Sequence, residues 1–173
     1  MTPGYAPAAP ARHRHAARVP QPSHSIEERL HRARERIARW SPQEARERHL
    51  AGALLVDIRP YHQRVAEGEI PGSLIIERNV LEWRLDPTSP ARIPQAGSHD
   101  SEFIVVCSEG YTSSLAAASL MDLGLARSGD LIGGAKAWFD QWLPHRAGGT
   151  SAGEFVPGSL HRAPDRLVDR LAW

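Results

Sequence analysis

Apolar positions along the chain follow two alternating patterns. Short, mostly apolar runs at 54–58, 74–76, 103–106 and 130–132 read as strands buried on both faces, as in a parallel sheet. Between them the spacing is helical. Ser25 caps a stretch in which Ile26, Leu30, Ala33, Ile37 and Trp40 recur at three- and four-residue intervals, with Glu28, Arg29, Arg32, Arg36 and Arg39 opposite. A second helix opens at Ser41, with Pro42 in its first position and Glu44 completing a capping box, and ends near Gly52. Residues 61–67 predict a short helix or turn, and 79–84 another, stopped by Asp86-Pro87; 87–101 form a loop. The Ala- and Leu-rich run at 115–120 predicts a helix that Thr112 or Ser113 can cap and Gly124 ends. Gly133-Gly134 turns the chain into a last helix, whose Trp138 and Trp142 read as core packing. Strands alternating with helices predict an α/β fold, its sheet largely parallel and covered on both faces.

Outside this pattern lie two segments of different composition. Residues 1–24 are Pro, Ala, Arg and His without periodicity and predict a disordered tail, in which His13 and His15 are too few to hold a metal. Residues 147–173 read as a Gly/Ser linker and a short helix after Pro164. The expected division is a tail over 1–24, an amphipathic helix over 25–40, a domain over 41–146 and a C-terminal extension over 147–173. The basic helix reads as packing its stripe on the domain rather than lying on an acidic partner or a membrane.

Charge and cysteine content narrow the function. A formal net charge of +1 over 173 residues gives no nucleic-acid or membrane footprint, and Lys136 is the only lysine beside many arginines. No apolar run is long enough for a signal sequence or a membrane span. One cysteine excludes an internal disulfide and suits a reducing, cytoplasmic setting.

That cysteine, Cys107, ends the 103–106 strand and begins the loop Ser108-Glu109-Gly110-Tyr111-Thr112-Ser113, just before a helix. Ligands of α/β sheets bind at such strand ends, where loop amides and the positive end of a helix stabilise a thiolate. A buried cysteine acting only as a small hydrophobe is the plain alternative. The Gly/Ser-rich loop favours function: Gly110 tolerates the positive φ that turns successive amides inward.

The loop Cys107-x-x-Gly110-x-x-Ser113 resembles the active-site loop of the rhodanese-like domains. Leu54-Leu55-Val56-Asp57-Ile58-Arg59 is similar to that family's Asp-x-Arg strand, and Gly68-Glu69-Ile70-Pro71-Gly72-Ser73 to its Gly-His-Ile-Pro-Gly-Ala turn. Gly133-Gly134-Ala135-Lys136-Ala137-Trp138 and Trp142-Leu143-Pro144 resemble its last helix and closing turn. The resemblance implies a three-layer α/β/α fold with a mostly parallel sheet, and a sulfurtransferase that carries sulfane sulfur on Cys107. Its partners would be a small-molecule or protein sulfur donor and acceptor, without metal or organic cofactor. Residues 108–113 would hold the outer sulfur, with Asp57, Arg59 and Arg78 as pocket candidates and Asp57 expected to be structural. Where many members carry arginine this chain has Thr112, and Glu109 adds a negative charge, so weak use of thiosulfate is expected. A non-catalytic binding or redox-sensing module is the competing reading. A cysteine phosphatase needs arginine six residues after the cysteine, and that position is Ser113.

Overall fold

In the computed structural model, residues 25–141 and 143–157 are described. The expected tail over 1–24, Trp142 and the helix after Pro164 lie outside them. Five strands form one sheet in the order β1-β5-β4-β2-β3, every neighbouring pair parallel. They are β1 (Ala38–Trp40), β2 (Leu54–Asp57), β3 (Leu74–Ile75), β4 (Phe103–Val106) and β5 (Ser128–Leu131). The helices are α1 (Ile26–Arg36), α2 (Pro42–Leu50), α3 (Tyr61–Glu67), α4 (Leu81–Leu85), α5 (Thr112–Asp122) and α6 (Gly134–Asp140), with a 3₁₀ turn at Arg78–Val80.

Strand alternation builds the three layers. From β4, Phe103 and Val105 enter a core shared with Ala33 and Ile37, with Leu81 and Leu85 of α4, and with Ala116 and Leu120 of α5. Ile104 and Val106 point the other way, to Ala45 of α2 and to Ala135 and Trp138 of α6. All four β4 side chains are fully buried, which explains why this strand reads as an unbroken apolar run.

The N-terminal boundary differs from expectation. Helix α1 has the Ser25–Glu28 capping box but stops at Arg36, and Ile37 is extended (φ −106°, ψ 154°). Residues 38–40 are the edge strand β1, paired with β5 from Ala38↔Gly129 to Trp40↔Leu131. The helix expected over 25–40 therefore breaks, and its last residues belong to the sheet of the domain expected to begin at 41. The reason is geometric: Ile37 and Trp40 are three apart, a spacing that suits a helix and also a bend into a short strand. The helix packs Ala33 on the core, while Ile26 stays 59% exposed.

The C-terminal segment also differs. Residues 147–157 are not a loose linker but a strap along the outer edge of β3. Ile75 N–H donates to Glu154 O (2.9 Å), Gly153 N–H to Ile75 O (2.7 Å) and Val156 N–H to Ser73 O (2.8 Å). The strap covers an edge that would otherwise expose unpaired backbone. Its anchor is Glu69, fully buried, whose carboxylate accepts from Gly149 N–H and Thr150 N–H (3.1 Å each), Thr150 Oγ1 (2.7 Å) and Arg64 Nε (3.0 Å). A segment held through its amides leaves no apolar period in the sequence, and only the buried Val156 hints at the docking.

Burial works against the Glu69 charge, but the bonds from Thr150, Gly149 and Arg64 outweigh it and hold the carboxyl below its usual range. With the folded value below the unfolded one, about 4.3, the stability it contributes is present above the unfolded value and is lost as pH falls through the folded value. Glu69→Ala strands Arg64 in the interior and is expected to cost about 3–5 kcal/mol at neutral pH. Urea unfolding of both proteins should show the difference shrinking in acid below about pH 4.

Candidate active site

Cys107 follows β4 directly, and the loop after it rests on the Gly133-Gly134 turn. Cys107 O accepts from Ala135 N–H (2.8 Å) and Ser108 O from Lys136 N–H (3.1 Å), so the first turn of α6 holds the loop from below. The approach is too close for side chains. A Cβ on Gly134 would lie 2.3 Å from Cys107 O, and one on Gly110 would lie 2.8 Å from Gly133 N; both glycines have positive φ (63° and 78°). These contacts fold the loop back over the cysteine.

The sulfur is buried, with Cys107 at 9% exposure. Gly110 N–H reaches Sγ at 3.2 Å and Ser113 N–H at 3.4 Å. The Ser113 hydroxyl lies 3.2 Å from Sγ. Two amides and a hydroxyl thus face one sulfur at the start of α5. Tyr111 is the cap residue of that helix and makes no side-chain cap bond. Thr112 and Ser113, expected as caps, do not serve as such: Thr112 is exposed and Ser113 turns to the sulfur and to Asp130.

Beneath the loop lies a polar network. Fully buried Asp130 of β5 accepts from Ser114 Oγ (2.6 Å), Ser113 Oγ (3.3 Å) and Arg39 Nε (2.9 Å). A thiol at Cys107 donates to Ser113, whose own hydrogen goes to Asp130. When the sulfur is anionic, the same hydroxyl can turn its hydrogen to it, because Ser114 and Arg39 still hold the carboxylate. Arg34 of α1 donates to Gly110 O (2.9 Å) and Ser114 Oγ (3.2 Å), tying that helix to the loop.

The other residues singled out in the sequence divide among three places. Ser108 donates to Glu67 Oε2 (2.9 Å), and Glu67 in turn accepts from Arg59 Nη1 (3.0 Å). Arg59 is buried and committed: Nη2 lies 2.5 Å from Asp57 Oδ2 and 2.9 Å from Gly68 O, and Nε 3.0 Å from Asp57 Oδ1. Burial opposes its charge, yet the bonds and charges of Asp57 and Glu67 push it above the ordinary arginine value. Asp57 and Arg59 are therefore a structural pair that reaches the loop only through Glu67. Arg78 pairs with Glu82 (2.8 Å) and lines a groove along α5 with Thr112. Glu109, half exposed, pairs with Lys136, whose ammonium it holds above the usual lysine range, first through the hydrogen bond and then through its charge. Its expected repulsion of anions is thereby offset.

Asp130, Ser114, Arg34, Arg39 and Glu67 escaped the sequence reading. Only Asp130 left a signal, as an acid beside a buried apolar run, where a charge needs a partner.

A family model described as Rhodanese-like domain matches residues 41–141. The thiosulfate sulfurtransferase GlpE of Stutzerimonas stutzeri is 35% identical over 100 residues, 58% of this chain and 83% of that protein. The adenylyltransferase and sulfurtransferase MOCS3-2 of Zea mays is 37% identical over 86 residues; that match takes in 49% of this chain and only 17% of the maize protein. Among solved structures, a protein of unknown function from Rhodopseudomonas palustris, described as a possible tyrosine phosphatase, superposes with a TM-score of 0.66 at 32% identity. It covers 74% of this chain and 99% of its own.

A hydrogen bond to a charged group contributes about 1.5–3 kcal/mol, and losing it is offset only in part by the stronger nucleophilicity of a less stabilised thiolate. Ser113→Ala is therefore expected to slow alkylation of Cys107 by iodoacetamide at neutral pH about 3- to 10-fold. With one cysteine in the chain, total thiol loss reads the rate directly; an unchanged rate contradicts the role given to the hydroxyl.

Proposed function

The chain belongs to the rhodanese-like domain family, and from that premise we propose that it is a sulfurtransferase carrying sulfane sulfur as a persulfide on Cys107. The observation that carries the reading is the convergence of Gly110 N–H, Ser113 N–H and the Ser113 hydroxyl on one sulfur. Relatives named as sulfurtransferases support it. The single thiol, useful only while reduced, supports a cytoplasmic setting. Among the described residues no helix is long and apolar enough to cross a membrane.

The reaction is a double displacement. The Cys107 thiolate attacks the outer sulfur of a donor persulfide, R–S–S⁻; a Cys107 S–S bond forms, the donor S–S bond breaks, and R–S⁻ leaves. An acceptor thiolate then attacks the outer sulfur, takes it as its own persulfide and returns Cys107 as thiolate. No net electrons are exchanged. The two amides and the Ser113 hydroxyl stabilise the negative charge that appears on Cys107 at the start and end of each cycle. Arg39 and Ser114 hold Asp130, leaving that hydroxyl free to turn toward sulfur.

Thiosulfate, named for one relative, carries two negative charges, and this loop offers it amides and hydroxyls but Thr112 in place of arginine. A donor bound through a thiol suits such a loop better. A phosphatase reading meets Ser113 where the oxyanion clamp needs arginine, and Arg34 is committed to Gly110 O and Ser114.

In a sulfur-transfer assay, glutathione persulfide is expected to exceed thiosulfate in kcat/KM. Thr112→Arg should raise the thiosulfate value about tenfold, equivalent to about 1.4 kcal/mol, and Glu109→Gln should change it less than about threefold, since Lys136 already offsets that charge. Cys107→Ser should abolish transfer from both donors. Transfer by the serine variant overturns the persulfide reading, and absence of transfer from any donor in the wild type favours the non-catalytic module. Should thiosulfate be the better donor and Thr112→Arg leave it unchanged, the donor assignment fails.

A further inference from the structure

The Ser113 hydroxyl stands midway between two groups that can each carry a negative charge. It lies 3.2 Å from Cys107 Sγ and 3.3 Å from Asp130 Oδ2, and it has one hydrogen to give. Neither acceptor wins by distance. The sulfur has two further donors, Gly110 N–H and Ser113 N–H. Asp130 has Ser114 Oγ on the same oxygen (2.6 Å) and Arg39 Nε on the other (2.9 Å). Of the three side chains that meet the carboxylate, Ser113 is therefore the most distant and the easiest to give up.

A sulfur carrier changes its demand on that hydrogen as it is loaded. In Cys107–S⁻ + R–S–S⁻ → Cys107–S–S⁻ + R–S⁻, one S–S bond forms, one breaks, and no net electrons are exchanged. The empty state puts the charge on Sγ itself, which draws the hydroxyl away from Asp130. The loaded state moves the charge to the outer sulfur and leaves Sγ a neutral, weak acceptor. The hydrogen then returns to a carboxylate that has no water to replace it. Resting on the sulfur-carrier reading above, we propose that Asp130 is a positioning residue that favours the loaded state, by competing with the empty thiolate for the Ser113 hydrogen. It touches no reacting atom. Arg39 opposes it: by meeting the carboxylate charge it weakens the pull on Ser113. The other charged groups around the loop are engaged elsewhere, Arg34 with Gly110 O and Ser114, Glu67 with Arg59 and Ser108, and Glu109 with Lys136.

The test is the equilibrium constant for sulfur exchange between the full chain and glutathione persulfide. Mass spectrometry reads the loaded fraction of Cys107 at a fixed ratio of glutathione persulfide to glutathione, at about pH 9, above the ordinary thiol value of about 8.5. Asp130→Asn is expected to lower the constant about three- to tenfold, because its amide can donate to Ser113 Oγ and leave the hydroxyl hydrogen to sulfur. Arg39→Gln should raise it about threefold; Arg39 is partly exposed, so its removal opens to solvent. A merely structural role would move both variants the same way. With Ser113→Ala already in place, either change should alter the constant less than about twofold. Shifts of one sign, or effects that survive without the hydroxyl, overturn the proposal. Should Asp130→Asn fail to fold, Arg39→Gln with and without Ser113→Ala decides it. Iodoacetamide rates on the unloaded proteins give a second readout, faster than wild type for Asp130→Asn and slower for Arg39→Gln. Those opposite rate shifts with no loading of the wild type would sink the sulfur-carrier reading and leave the competition for the hydrogen standing.

Discussion

Asp130 is the constraint around which the molecule is arranged. A carboxylate with no exposure to water in the middle of a sheet costs several kcal/mol unless its charge is met. Two elements meet it: β1 supplies Arg39, and the first turn of α5 supplies Ser113 and Ser114. The edge strand, the start of the central helix and the loop around Cys107 are thus fastened to one point. The same point reaches the candidate site, because Ser113 is shared between Asp130 and the Cys107 sulfur. An aliphatic residue at 130 could pack there without that desolvation cost, but it would leave Ser113, Ser114 and Arg39 without their acceptor.

A second buried pair does for the far side of the crevice what Asp130 does for the near side. Asp57 and Arg59 lock the end of β2, and Arg59 extends through Glu67 to Ser108. Arg64 and Glu69 then fasten the C-terminal strap. Two sets of arginines stand apart. Arg39, Arg59 and Arg64 have carboxylate partners at hydrogen-bond distance in the interior, whereas Arg29, Arg32 and Arg36 of α1 are exposed beside the α5 groove. Net charge near zero conceals this separation.

Much of the architecture was legible in the sequence because its signals are local. Short, mostly apolar runs marked β2, β3, β4 and the end of β5; Ser25 and Ser41 with a glutamate three residues on marked two helix starts, and both capping boxes are present. The glycines at 110, 133 and 134 marked the loop and the turn beneath it. What escaped depends on partners distant in sequence. Strand β1 exists because β5 is there to pair with it, the strap because Glu69 gathers its amides, and the α5 capping expectation failed because Ser113 had two better partners. Arg39 read as part of the polar face of a helix and Arg34 was not singled out, since nothing nearby in sequence foretells Asp130 or Gly110. Glu109 was read as an isolated charge for the same reason: Lys136 lies 27 positions away.

On the proposed function, Cys107 holds sulfur rather than merely filling space. Its most direct test is a mass spectrum of the Cys107 peptide after exposure of the protein to glutathione persulfide. The expected result is the addition of one sulfur atom that an excess of thiol removes. Two added oxygens have almost the same mass but resist thiol, which separates over-oxidation from a persulfide. Absence of a thiol-removable sulfur adduct, with the protein folded and Cys107 still open to alkylation, would contradict the account.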